Sequence, residues 1–89
     1  MISLSEAFEI ARKQFDPSVS ICILETDRFW IFGYNWEAMG IKQPDPGVGP
    51  LIVYKDTGKY EYPPIPPRMT PQMRQEFKTA VQVHFSAQP

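Results

Sequence analysis

Phe29-Trp30-Ile31-Phe32-Gly33-Tyr34-Asn35-Trp36 is followed, after a loop, by Gly49-Pro50-Leu51-Ile52-Val53-Tyr54, Lys55-Asp56-Thr57-Gly58 and Lys59-Tyr60-Glu61-Tyr62. Side chains of a strand alternate between faces. Trp30, Phe32, Tyr34 and Trp36 therefore share one face, and Phe29, Ile31, Gly33 and Asn35 the other. In the later segment Leu51 and Val53 face one way and Ile52 and Tyr54 the other. Asp56-Thr57-Gly58 suits a type I turn closed by a left-handed glycine, which makes this segment a β-hairpin. Tyr60 and Tyr62 continue one face of its second strand.

Working outward towards the N-terminus, Val19-Ser20-Ile21-Cys22-Ile23-Leu24-Glu25 is β-branched and alternating, and reads as a strand. Val19, Ile21 and Ile23 share a face; Cys22 lies on the other, between Ser20 and Leu24. The short polar Thr26-Asp27-Arg28 joins this strand to Phe29–Trp36 as an antiparallel hairpin. Upstream, Ser3-Leu4-Ser5-Glu6 fits a capping box. Leu4, Phe8, Ala11 and Phe15 recur at helical spacing, so a helix starts there and stops near Phe15, just before Asp16-Pro17. The aromatic face of the sheet is expected to pack under the helices, since aromatic side chains carry large buried areas.

Towards the C-terminus, Glu37 to Gly49 is too rich in glycine and proline to extend a strand or a helix. Loops of this length inside compact domains are often functional. Pro63-Pro64-Ile65-Pro66-Pro67 reads as extended, polyproline-like backbone that carries the chain across the sheet; a ligand for an SH3-type domain is the competing reading. Thr70-Pro71 opens a last helix. Its stripe, Met73, Phe77, Ala80, Val81 and His84, is expected to reach the histidine.

The 89 residues make one domain, and ten acids against nine bases give a net charge of -1. Without a run of Lys and Arg, nucleic acid is not an expected partner. No stretch is long and apolar enough to span a bilayer, so no membrane role is expected. The N-terminus has no basic region followed by an apolar run, hence no signal peptide is read there. A cytoplasmic protein is the expectation. Cys22 is the single cysteine, so no internal disulfide forms, and paired-cysteine metal spacing is absent. Cys22 reads as a packed small residue in preference to a nucleophile. His84 reads as a helix-end histidine favoured by the dipole in preference to a metal ligand. No cofactor motif and no catalytic constellation is present: the Glu37–Gly49 loop lacks the P-loop ending and dinucleotide glycine spacing. An enzyme is not expected.

The helix of form Ala7-x-x-x-Ala11-Arg12-Lys13, the strand Trp30-x-Phe32-x-Tyr34 and the segment Gly49-Pro50-Leu51-Ile52-Val53-x-Lys55-Asp56-Thr57-Gly58 occur in that order. Together they resemble the immunity protein 35 family of bacterial polymorphic toxin systems, over roughly residues 4 to 62. Pro63–Pro67 and the long last helix are not covered. The resemblance implies a small cytoplasmic bacterial protein that blocks a cognate protein toxin by stoichiometric binding. It transfers no binding residue.

Partner-binding candidates therefore come from the residues themselves. They are Trp36, Glu37, Met39 and Asp45 at the loop, and Glu25 and Asp27 at the first turn. Trp is enriched at interface hot spots, and acidic groups suit a basic partner. Two other readings stay open: a chaperone-like or scaffold module without a toxin, and a small ligand-binding or enzyme subunit. A homodimer through an exposed sheet edge also stays open. The expected architecture is α+β: an N-terminal helix, a four-stranded, mostly antiparallel sheet and a C-terminal helix.

Overall fold

The computed structural model describes residues 1–15, 21–34, 50–64 and 66–84. Within them the elements are α1 (Leu4–Arg12), β1 (Ile21–Glu25), β2 (Phe29–Tyr34), β3 (Leu51–Tyr54), β4 (Tyr60–Glu61), a short 3-10 turn (Pro66–Arg68), α2 (Pro71–Thr79) and β5 (Val81–Val83). The five strands form one antiparallel sheet in the order β4-β3-β2-β1-β5. The α+β class holds. The strand count does not, because a fifth strand follows α2.

That fifth strand corrects the reading of the last helix. Helical spacing drew Val81 and His84 into one stripe with Met73 and Phe77. The helix instead ends at Thr79, and Ala80 turns extended (ψ 142°). Val81-Gln82-Val83 then pairs with β1, with Glu25 opposite Val81 and Ile23 opposite Val83. β-Branched residues at alternate positions fit a pleated edge better than a helix surface. His84 consequently follows a strand and is not at a helix end.

The helices cover opposite faces of the sheet, whereas one shared face was expected. Phe8, Ala7 and Ala11 of α1 bury against Trp30, Phe32, Leu51, Val53, Ile21 and Ile23. On the far side Phe29, Ile31 and Ile52 form a second cluster, against which Met73, Phe77 and Ala80 pack. The strand alternation read from the sequence holds for Ile21, Ile23, Trp30, Phe32, Leu51 and Val53 on one side and Phe29, Ile31 and Ile52 on the other, while Val19, Ser20, Asn35 and Trp36 lie outside the described residues; β2 and β3 are apolar on both faces, so each face needs cover. Phe8 meets Phe32 edge-on at 6.3 Å between centroids, and Phe29 meets Phe77 at 5.9 Å.

Local signals explain most element ends. Ser3 caps α1: its Oγ accepts from the Glu6 amide at 3.2 Å, and Glu6 Oε1 accepts from the Ser3 amide at 3.3 Å. Thr70 Oγ1 accepts from the Met73 amide at 3.2 Å, and Pro71 stands where its missing N–H costs nothing. The β3–β4 turn closes at Gly58, whose φ is 74°. Its amide donates to the Tyr54 carbonyl at 2.9 Å, and the Tyr54 amide to the Lys59 carbonyl at 2.8 Å. Pro66-Pro67 belongs to the 3-10 turn, not to a continuous extended run. The chain leaves the β4 edge there, crosses under the sheet as α2, and re-enters at the opposite edge as β5.

Candidate functional site

The β1–β2 turn is tied by several hydrogen bonds and ion pairs. Thr26 builds it. Its amide donates to the Phe29 carbonyl at 2.9 Å, and its hydroxyl donates to the same carbonyl at 2.9 Å. The hydroxyl also accepts from the Phe29 amide at 3.1 Å and the Arg28 amide at 3.3 Å. A threonine serves here because its hydroxyl can both donate and accept. These bonds fix Asp27 at the exposed tip.

Two further segments are fastened to this turn, and the N-terminus joins through one of them. The Arg28 guanidinium grips Glu76 of α2 with two parallel hydrogen bonds, each 2.7 Å. Those bonds raise its pKa above the ordinary value. Arg28 also lies 5.5 Å from the centroid of the Phe29 ring. Lys55, just past β3, bonds Glu25 at 2.6 Å and sits 5.1 Å from the Trp30 ring centroid. Its amide donates to the Arg28 carbonyl at 3.0 Å, and its carbonyl accepts from Ile2 at 2.8 Å.

Between these ties lies a groove of about 330 Å³. Glu25, Asp27 and Glu76 line it with Lys55, and Val81 and Val83 supply its apolar wall. Glu25 is answered by Lys55 and Glu76 by Arg28. Asp27 forms no ion pair with any described residue. The groove is thus acidic at one end and apolar along β5. On the other flank of the turn a smaller depression of about 220 Å³ is lined by Asp27, Arg28, Tyr54 and Asp56.

The structure brings two of the expected partner-binding residues, Glu25 and Asp27, into one groove. Trp36, Glu37, Met39 and Asp45 lie outside the described residues. Sequence reading missed Lys55, Glu76 and β5. Glu76 is 48 residues from Arg28, and no local spacing connects them. The signal for β5 was present in Val81-x-Val83, but helical periodicity overrode it.

Elsewhere, Cys22 is half-buried, and burial pushes its thiol pKa up, which disfavours the thiolate. Tyr54 donates its phenol hydrogen to Glu61. Desolvation, then that hydrogen bond, pushes its pKa up to about 12. No group of three or more His, Cys, Asp or Glu side chains suited to a metal occurs among the described residues, and no helix among them is long and apolar enough to cross a membrane. No protein-family model, curated protein or solved structure matches this chain.

Proposed function

We propose that this chain is a bacterial immunity protein: a cytoplasmic binder that neutralises a cognate protein toxin by one-to-one association, with no chemistry of its own. The groove at the β1–β2 turn carries the reading. It sets Glu25, Asp27 and Glu76 beside an apolar wall, on a turn fastened to α2 and to the end of β3, which in turn holds the N-terminus. A preorganised surface of this kind loses little conformational entropy on binding. Its Asp27 carboxylate, which no described cation pairs, suits a basic partner, because complementary charge speeds encounter and selects against wrong partners. The resemblance to the immunity protein 35 family supplies the partner class. Trp36, Glu37, Met39 and Asp45 belong to the same proposal as a second contact region.

The test is a pull-down of the tagged protein from a lysate of its native host, followed by co-expression of whatever is captured. The expected result is one protein held at one-to-one stoichiometry, lethal when expressed alone and harmless with this chain. Asp27→Asn and Asp45→Ala should each weaken that complex. Capture of many unrelated clients, none of them toxic, would move the chain to the chaperone-like or scaffold class. A single non-toxic partner would keep the binding role and remove the toxin.

A further inference from the structure

The two edges of the sheet differ. β4 is only two residues long, Tyr60–Glu61, and runs into Pro63 and Pro64. A short strand and edge prolines are the usual devices against unwanted pairing. β5, Val81-Gln82-Val83, has neither proline nor charge, and no described strand lies beyond it. Val81 is 66% exposed.

The main-chain direction along β5 follows from the hydrogen bonding at the turn. Thr26 donates to the Phe29 carbonyl, so Thr26, Leu24 and Cys22 direct their backbone groups at β2. Glu25 and Ile23 direct theirs the other way, at Val81 and Val83. Gln82 is then the residue of β5 whose N–H and C=O both point outward, and His84 follows in the same phase.

We infer that the outer edge of β5 is a strand-addition site for an extended segment of a partner protein carrying a Lys or Arg opposite Val81. Residues directly opposite across an antiparallel pair have Cβ atoms about 5 Å apart on the same face. A cation at that position enters the groove walled by Val81 and Val83, where Asp27 is the carboxylate without an ion pair among the described residues and Glu25 is already held by Lys55. Main-chain bonds to Gln82 supply the register, and the Asp27 carboxylate supplies the selection. A second copy of this chain fits worse. Its own β5 brings no cation, and a two-fold pairing would set two acidic grooves along one seam. The inference rests on the partner-binding reading above, not on the partner being a toxin.

The probe is a phage-displayed library of random dodecapeptides, panned on the full chain. The decisive variant is Gln82→Pro. It removes the outward N–H and leaves the β1–β5 bonds of Val81 and Val83 in place. Enriched peptides should alternate β-branched residues and carry a Lys or Arg. Bound to the parent, they should shift the amide resonances of Gln82 and His84. Their affinity should fall about tenfold in Gln82→Pro, the equivalent of losing one well-made hydrogen bond. Asp27→Asn should weaken binding severalfold at low salt, and added salt should shrink that difference. Three results would overturn the inference. One is no enrichment. Another is peptides that bind parent and Gln82→Pro alike or shift amides elsewhere. The third is a parent dimer that Gln82→Pro converts to monomer. If Gln82→Pro does not fold, the amide shifts in the parent decide. Full toxin neutralisation by a folded Gln82→Pro would remove the edge and leave the immunity reading standing.

Discussion

Gly58 has the only positive φ among the described residues. A left-handed backbone sets any Cβ against the following carbonyl, at a cost of roughly 1–2 kcal/mol. A Cβ here would also stand 3.3 Å from Ile2 Cγ2. Gly58→Ala should therefore lower unfolding stability by about 1–2 kcal/mol, read from the urea midpoint at constant slope. No measurable loss would mean that the turn can rebuild with negative φ. Tyr54 makes a second single-residue prediction. Its pKa is pushed from 10.0 to about 12, so folding favours the neutral phenol. The sign follows: that contribution is complete below pH 10 and is lost as pH rises through 12. Tyr54→Phe should show a shallower fall in stability across this window than the parent; identical profiles would refute the linkage. Gly58 was legible in the sequence because Asp-Thr-Gly is a local turn signal. The Tyr54–Glu61 bond was not, because it needs the cross-strand register.

At the scale of elements, the ends written in local chemistry were legible and the partnerships between elements were not. Ser3 with Glu6 and Thr70 with Pro71 mark both helix starts within a few residues. Strand alternation correctly divided Trp30 and Phe32 from Phe29 and Ile31. It could not say which helix each face would meet, because that depends on where the crossover places α2. β5 was lost for a related reason. Val81 has the right spacing for the Met73–Phe77 stripe, and only pairing with β1 shows that it is a strand. Of the expected binding residues, Glu25 and Asp27 could be placed because they flank a recognisable turn, whereas their neighbours in the groove come from distant segments. The polar tie between the β1–β2 turn and α2 is the Arg28–Glu76 fork, with side chains 45% and 16% exposed, beside the apolar packing of Phe77 on Phe29. A double-mutant cycle of Arg28→Ala and Glu76→Ala should give a coupling of about 0.5–1 kcal/mol that shrinks with salt. Zero coupling at low salt would show that α2 is held by its apolar contacts alone.

The whole molecule is a sheet with unequal covers. α1 buries Ala7, Phe8 and Ala11, while no residue of α2 is fully buried. Phe77 and Met73 only half-bury against Phe29 and Ile52. Phe8→Ala should cost about 3–5 kcal/mol, the usual range for emptying a filled aromatic site. Phe77→Ala should cost clearly less, since less surface leaves water when it packs. The same inequality should appear without mutation. Opening free energies track buried apolar contact, so α2 and β5 should exchange their amides through a partial opening below the global unfolding free energy. Amides of β2, which bonds to neighbours on both sides, should exchange only with global unfolding. Native-state hydrogen exchange in low urea separates the two. If α2, β5 and β2 converge on one free energy and one urea slope, the molecule opens as a single unit. If α2 and β5 separate from β2, the strand proposed to receive a partner sits on the least stable unit of the fold. In that case partner binding at β5 should raise protection in α2 as well, because the partner would bind only the closed form and stabilise it by mass action.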